Sequence, residues 1–160
     1  MDLTHKILNN NNLQTKVNYW KKFEKRIVFT NGCFDLLHLG HLHTLTESKK
    51  LGDILIIGLN SDNSIKRLKG ESRPIQNQQT RSTILANLQI VDAVVLFEEN
   101  TPLNLIKTIL PQILVKGGDY KIEDIVGADL VLKNGGQVKT IPLLEGISTT
   151  NSINKVNNQV

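Results

Sequence analysis

His38 and His41 stand three residues apart, with Gly40 between them, in the stretch Thr30-Asn31-Gly32-Cys33-Phe34-Asp35-Leu36-Leu37-His38-Leu39-Gly40-His41. At the entry to a helix, two imidazoles with this spacing project to one side. Gly40 removes the side chain that would block a ligand there. A helix start adds unpaired backbone N–H groups and a partial positive charge. Lys49 follows His41 by eight residues, about two helical turns, and is expected to return to a similar face. Two imidazoles and an ammonium around one anion-sized space suit charge growing on a departing pyrophosphate. The competing readings are capping or surface histidines, or zinc ligands. No third zinc ligand stands at usable spacing, so no metal site is expected. His43 falls on another helix face and His5 near the N-terminus, and neither receives a role.

Further candidates follow later apolar runs. After Asn60-Ser61-Asp62, the stretch from Ser64 to Pro74 carries Lys66, Arg67, Lys69 and Arg73. It reads either as a loop closing over phosphates, with Arg73 making bidentate contacts, or as a solvated basic loop. Arg81 is a further cation near a helix start, or an ordinary surface arginine. In Lys116-Gly117-Gly118-Asp119-Tyr120, paired glycines would let a base or phosphate approach the backbone, and Asp119 could accept from a nucleotide; a plain turn reads the same way. In Glu145-Gly146-Ile147-Ser148-Thr149-Thr150 the hydroxyls suit a helix cap, a phosphate, or both. Cys33 reads most simply as a small buried hydrophobe.

The elements that would position these residues follow from hydrophobic patterning. Residues 1–25 read as a leader whose asparagine run favours turns or disorder, followed by a short helix packing through Trp20 and Phe23. From residue 26 to 160 strands and helices alternate. Ile27–Thr30, Asp53–Leu59, Ala93–Phe97, Ile113–Val115 and Gln137–Ile141 read as strands. Helices are expected at His41–Leu51, Gln78–Leu88, from the Thr101 cap onward, at Ala128–Asn134 and from about Ser148. The pattern predicts one α/β domain, a Rossmann-like doubly wound parallel sheet. Ligands of such sheets bind at the carboxyl ends of the strands, beside a topological switch point.

Composition narrows the classes. The formal charge of +4 is compatible with an anionic ligand without requiring nucleic acid. One Trp, two Tyr and four Phe, mostly beside aliphatic residues, leave few rings for stacking bases. No apolar run reaches the roughly 18–20 residues that cross a bilayer. The N-terminus lacks the apolar core of a secretory signal, and a single cysteine forms no internal disulfide. A cytoplasmic setting is expected, with no nucleic-acid or membrane partner.

TNGCFDLLHLGH, NSDNSIKRLKGESRPI, VDAVVLFEENTPLNLI, LVKGGDY and EGISTT occur in this order. From about Arg26 to Lys155 the chain resembles the adenylyltransferase domains of bacterial heptose kinase/adenylyltransferases, within the cytidylyltransferase-like superfamily. The resemblance implies an HxGH nucleotidyltransferase using ATP with Mg²⁺ and a heptose 1-phosphate, and it serves lipopolysaccharide or other surface-glycan synthesis. It implies that His38 and His41 contact the triphosphate and that Lys49 assists at the transferring phosphate. The backbone of Asn31, Gly32, Cys33 and Phe34, with Gly40, would line the phosphates. Lys116, Gly117, Gly118 and Asp119 would flank the nucleoside, Ser148, Thr149 and Thr150 would hold phosphates, and Arg73 would belong to the active-site loop.

The sequence departs from the family pattern before Arg81, where Gln78, Gln79 and Thr80 replace acidic residues, and at Thr44-Leu45. No sugar-kinase segment is recognisable, so a separate heptose kinase is expected to supply the acceptor. A homodimer is compatible with the resemblance. The competing readings are a glycerol-3-phosphate cytidylyltransferase using CTP and, more remotely, a non-catalytic RNA-binding module.

Overall fold

A computed structural model of the chain describes residues 4–144. The run Ile54-Leu55-Ile56-Ile57-Gly58-Leu59 offers no polar side chain before Asn60, and only a strand covered on both faces accommodates such a run. It becomes the middle of the sheet. After a 3-10 turn at Thr4–Lys6, the elements are β1 (Ile7–Leu8), α1 (Asn10–Lys22), β2 (Ile27–Gly32), α2 (Leu39–Lys49), β3 (Ile54–Asn60), α3 (Asp62–Lys69) and α4 (Gln78–Ala86). They continue with β4 (Ala93–Phe97), α5 (Leu103–Ile109), β5 (Ile113–Gly117), a second 3-10 turn at Ile122–Asp124, α6 (Ala128–Lys133) and β6 (Gln137–Ile141).

All six strands are parallel, in the order β1-β4-β3-β2-β5-β6. Alternation along each strand separates two cores. Ile27, Phe29 and Ile56 meet Leu13, Val17 and Trp20 of α1, Ile106 and Ile109 of α5, and Val131 of α6. Val28, Leu55 and Ile57 meet Leu45 of α2 and Leu85 of α4. The expected doubly wound α/β sheet is therefore what the chain forms. From β2 the chain steps outward to β3 and β4, then returns to lay β5 on the other side of β2. The switch point lies between β2 and β5, where Val28 is in register with Ile113. Among the described residues no helix is long and apolar enough to cross a membrane.

Several local expectations change. The described part of the 1–25 leader belongs to the same layers as the rest: Ile7 and Leu8 pair with Val94 and Val95. Lys6 Nζ donates to the carbonyls of Leu88 and Val91 at 3.3 and 2.7 Å, closing the end of α4. The asparagine run starts a helix, because Asn9 Oδ1 accepts from the Asn12 N–H. Trp20 packs inward as expected, but Phe23 lies at the helix end against Tyr19 and is 54% exposed. The basic stretch is not a loop up to Lys69: Ser61 caps α3, which buries Ser64 and Ile65 and turns Lys66, Arg67 and Lys69 outward. α5 begins one residue later than expected, with Pro102 rather than Thr101 at its cap. The helix expected from Ser148 lies outside the described residues.

Because Leu13 is 1% exposed and Phe23 is not buried, their truncations separate. Leu13→Ala should cost about 2–4 kcal/mol of unfolding free energy and Phe23→Ala about 0.5 kcal/mol or less, measured by urea titration. Similar losses for both would contradict the burial of α1.

Candidate active site

The loop leaving β2 must turn sharply before α2, and it does so without glycine at the turn itself. Phe34 and Leu36 adopt φ of 45° and 53°, a left-handed conformation costing roughly 1–2 kcal/mol per residue. Asp35, between them, is 2% exposed. Its Oδ2 accepts from Arg73 Nε at 2.8 Å and from the Ile75 N–H at 2.9 Å, and its Oδ1 from the Gln76 N–H at 2.9 Å. Arg73 Nη2 adds an ion pair at 2.7 Å. Burial opposes ionisation of Asp35, but the Gln76 and Ile75 N–H groups and Arg73 outweigh it and hold the carboxyl below its ordinary range. Gly32 lets the Phe34 ring fold closely over it, since a Cβ there would stand 3.1 Å from that ring.

α2 opens with the two histidines stacked, ring centroids 3.8 Å apart and planes 19° from parallel. His41 also packs on Phe34, at 5.2 Å between centroids. The His38 backbone N–H makes a long hydrogen bond of 3.4 Å to His41 Nδ1. With Nδ1 accepting, the neutral ring carries its proton on Nε2. Burial first, then His38 and Lys69, lower the His41 pKa to about 4, against the opposing pull of Asp35. Burial lowers His38 as well, and its Nδ1 is buried without a partner. At neutral pH His41 is therefore an uncharged hydrogen-bond donor, not an imidazolium.

Beneath this loop lies Arg81, whose side chain is fully buried. Nε donates to the Gln76 carbonyl at 2.9 Å, and Nη1 to the carbonyls of Cys33 and Asn60 at 2.7 and 2.9 Å. Nη2 donates to Asp62 Oδ1 at 2.7 Å. One guanidinium thus joins the loop after β2, the end of β3, the start of α3 and the segment before α4. The backbone N–H of Asp62 in turn donates to Gln78 Oε1 at 3.0 Å. Gln78, one of the departures from the family pattern, anchors Asp62 rather than Arg81.

Above the strand ends is a cleft of about 470 Å³, walled by Asn31, Gly32, Cys33, Asn60, Lys69 and Lys116 among others. It is continuous with a pocket of about 210 Å³ lined by His41, Phe34, Thr44 and Gly117; Cys33, Lys116 and Tyr120 face both. Lys116, at the end of β5, has its pKa lowered by burial, with the Cys33 thiol opposing, and its Nζ stands 5.4 Å from the Tyr120 ring centre.

Asn31, Gly32, Cys33, Phe34, His41, Lys116 and Gly117 thus converge on one cavity system, and His38 stacks behind His41. Lys49 does not join them. Eight residues carry it about 12 Å along the helix axis, to the amino ends of the strands. There its Nζ binds Asp92 Oδ2 and the Asp53 carbonyl, both at 2.6 Å. Arg73 is engaged by Asp35 through Nε and Nη2 and lines neither pocket. Gly40 is buried and its carbonyl accepts from Thr44 Oγ1 at 3.2 Å. Gly117 packs closely on Thr44, where a Cβ would lie 3.2 Å from the side chain, and Gly118 has φ of 117°. Asp119 is exposed and does not line the cleft. Ser148, Thr149 and Thr150 lie outside the described residues. Asp35 is a structural residue to which the sequence assigns no role, and Arg81, expected as a further cation for the ligand or as a surface arginine, is instead buried beneath the loop. The visible signal for Asp35 was a carboxylate within the otherwise apolar Cys33–Leu37 stretch.

A doubly wound parallel sheet with an HxGH helix start over its switch point defines an α/β protein of the nucleotidyltransferase-like fold. The chain belongs to the cytidylyltransferase-like family, which it matches over residues 29–155. It is 58% identical over 132 residues to the "Bifunctional protein HldE" of Syntrophotalea carbinolica, covering 82% of this chain and 27% of that protein. The corresponding protein of Pelobacter propionicus is 52% identical over 155 residues, or 97% of this chain and 32% of its own length. The chain therefore spans less than a third of the curated relatives it matches. A lipopolysaccharide core biosynthesis protein from Thermoplasma volcanium superposes with a TM-score of 0.60 and 33% identity, covering 75% of this chain and 97% of that one. A pantoate-beta-alanine ligase from Francisella tularensis, at 17% identity and the same TM-score over 96% of this chain and 79% of its own, shares the fold alone.

Two measurements test this geometry. Arg81→Met strands the Asp62 carboxylate and three carbonyls, so it should cost about 3–5 kcal/mol in urea unfolding; a loss below 1 kcal/mol would contradict the clamp. His41 has a folded pKa below its unfolded value of 6.5, so the unfolded state binds more protons between pH 6.5 and 4. Its contribution to stability is complete above that window and is lost as pH falls through it. His41→Gln should flatten the decline relative to the unaltered protein in urea titrations across those pH values.

Proposed function

We propose that the chain transfers AMP from ATP to D-glycero-D-manno-heptose 1-phosphate, giving ADP-heptose and pyrophosphate for lipopolysaccharide or another surface glycan. The observation that carries this reading is the half-buried His41, kept neutral at pH 7 and accepting at Nδ1 from the His38 N–H, facing a cavity that it shares with Lys116 and the Asn31–Cys33 backbone. The blocks KRLKGESRP and LVKGGDY support the heptose branch, as does similarity to the HldE proteins and to a protein described as acting in lipopolysaccharide core biosynthesis. A cytoplasmic setting, where ATP is abundant, fits the same reading. The acceptor must arrive already phosphorylated by a kinase.

The acceptor phosphate is ionised at neutral pH, so its oxygen needs no general base. It forms a bond to the α-phosphorus of ATP while the bridging oxygen to the β-phosphorus takes the electron pair and leaves with pyrophosphate. The protein positions two polyanions and meets the growing charge with donors that are already fixed. His41 Nε2–H donates to the departing pyrophosphate, and Lys116 offsets charge where the two substrates meet. A neutral donor has a specific value here: its interaction strengthens as charge develops on the leaving oxygen, without holding the product by a full ion pair. Asn31, His41, Lys69 and Lys116 are neutral or cationic donors, suited to phosphate oxygens rather than to a hard dication. Mg²⁺ accordingly belongs to this reading as a component of the ATP substrate.

Pyrophosphate release with ATP, CTP or GTP, each paired with heptose 1-phosphate or glycerol 3-phosphate, tests the assignment. ATP with heptose 1-phosphate should give the highest kcat/KM; CTP with glycerol 3-phosphate in first place would replace the reading. His41→Ala should lower turnover by about 10²–10³, the effect of losing one charge-stabilising donor. Lys49→Ala should leave turnover within about twofold while costing about 1 kcal/mol of stability.

A further inference from the structure

α1 buries a single stripe. Leu13, Val17 and Trp20 recur at i, i+4 and i+7 and pack on the sheet. Lys16, Tyr19, Lys22 and Phe23 fall on the outward side, with Tyr19 59% and Phe23 54% exposed. The two rings pack on each other, centroids 4.8 Å apart and planes tilted by 51°, and so form one apolar knob. The stretch from Lys16 to Arg26 holds five cations, Lys16, Lys21, Lys22, Lys25 and Arg26, and one acid, Glu24. Among the described residues none of the five forms an ion pair, whereas Lys49, Lys50, Arg73, Arg81 and Lys133 each meet a carboxylate. Nor do these cations close the helix end. The carbonyls of Tyr19, Trp20 and Lys21 accept from the N–H groups of Phe23, Lys25 and Glu24 at 3.3, 2.9 and 3.0 Å.

The knob stands where α1 ends and the chain turns into β2, at the amino ends of the parallel strands. The cleft opens over their carboxyl ends. A surface that met the knob would therefore leave the cleft facing away from it. Two side chains fall far short of the roughly 800 Å² per partner that a stable protein interface buries. Rings tilted against each other also make a wedge, not parallel platforms on which successive bases stack. An anionic bilayer surface asks for neither area nor shape complementarity. Aromatic rings settle among its headgroups, and flexible lysine stems carry ammonium groups to its phosphates. The expectation of no membrane partner followed from the absence of a spanning run, and contact at a surface requires no such run.

We propose that the Tyr19–Phe23 pair, with Lys16, Lys22, Lys25 and Arg26 around it, is a docking surface for an anionic phospholipid bilayer. The protein rests there by the amino-end side of its sheet, with the cleft turned towards soluble substrates.

Sedimentation with sucrose-loaded vesicles tests this, one set of phosphatidylcholine alone and one with an equal part of phosphatidylglycerol. At roughly 0.1 M salt, where the Debye length is about 10 Å, the protein should bind the anionic vesicles at least about tenfold more tightly than the neutral ones. Raising the salt to about 0.5 M should release most of it. Tyr19→Ser with Phe23→Ser should weaken binding about tenfold by removing the wedge. Lys22→Ala with Lys25→Ala should weaken it about twentyfold, at about fivefold for each cation. Both pairs replace exposed side chains, so their urea midpoints should match that of the unaltered protein. Equal affinity for the two vesicle types, or undiminished binding by the ring variant, would overturn the proposal. So would tighter binding of a uridine homopolymer through the same residues, which would give the surface to nucleic acid. The readout is independent of whether the chain transfers AMP.

Discussion

The β2–β3 side of the candidate site is referred back to one buried guanidinium. Arg81 brings together chain segments nearly fifty residues apart in sequence by donating to Cys33, Asn60, Gln76 and Asp62 at once. Five donors in a rigid plane make this a task for arginine and not for lysine, whose point charge cannot span four acceptors in different directions. Burying a charge is expensive unless it is fully hydrogen-bonded. Here the cost is offset by carbonyls at strand ends that would otherwise be left without partners where the sheet's ladder stops.

The second constraint is the turn between β2 and α2, where two residues with side chains adopt left-handed conformations. Asp35, accepting from two backbone N–H groups and an arginine, ties that turn to the segment leading into α4. The resulting geometry presses His38 and His41 face to face in a partly dehydrated position, and that confinement keeps His41 uncharged. Fold, turn and protonation state are therefore linked: the sheet fixes the turn, the turn stacks the rings, and the stacking with burial sets the charge.

Much of this was legible in the sequence, for identifiable reasons. Strands β2 to β5 announce themselves as apolar runs because a central parallel strand is covered on both faces, and the switch point follows from the alternation of elements. β1 was missed because two residues at a sheet edge make no run. α3 reads as a loop in the sequence because its lysines and arginine dominate the composition, while Ser64 and Ile65 alone carry its buried side. Lys49 was assigned to the site from angular spacing; the rise along the helix, which a face count ignores, takes it away. The burial of Arg81 has no local signal, since it depends on acceptors supplied by two distant segments, the loop after β2 and the end of β3.

Three of the four acceptors gripped by Arg81 are main-chain oxygens, and this has an evolutionary consequence. Peptide carbonyls are present whatever amino acid occupies the position, so Cys33 and Gln76 could be exchanged for other residues without loosening the knot beneath them. Asn60 likewise offers its carbonyl downward independently of the amide it carries above. The scaffold thereby separates what must stay constant from what can be rewritten, and new specificities can be explored around the rim while the foundation keeps its shape.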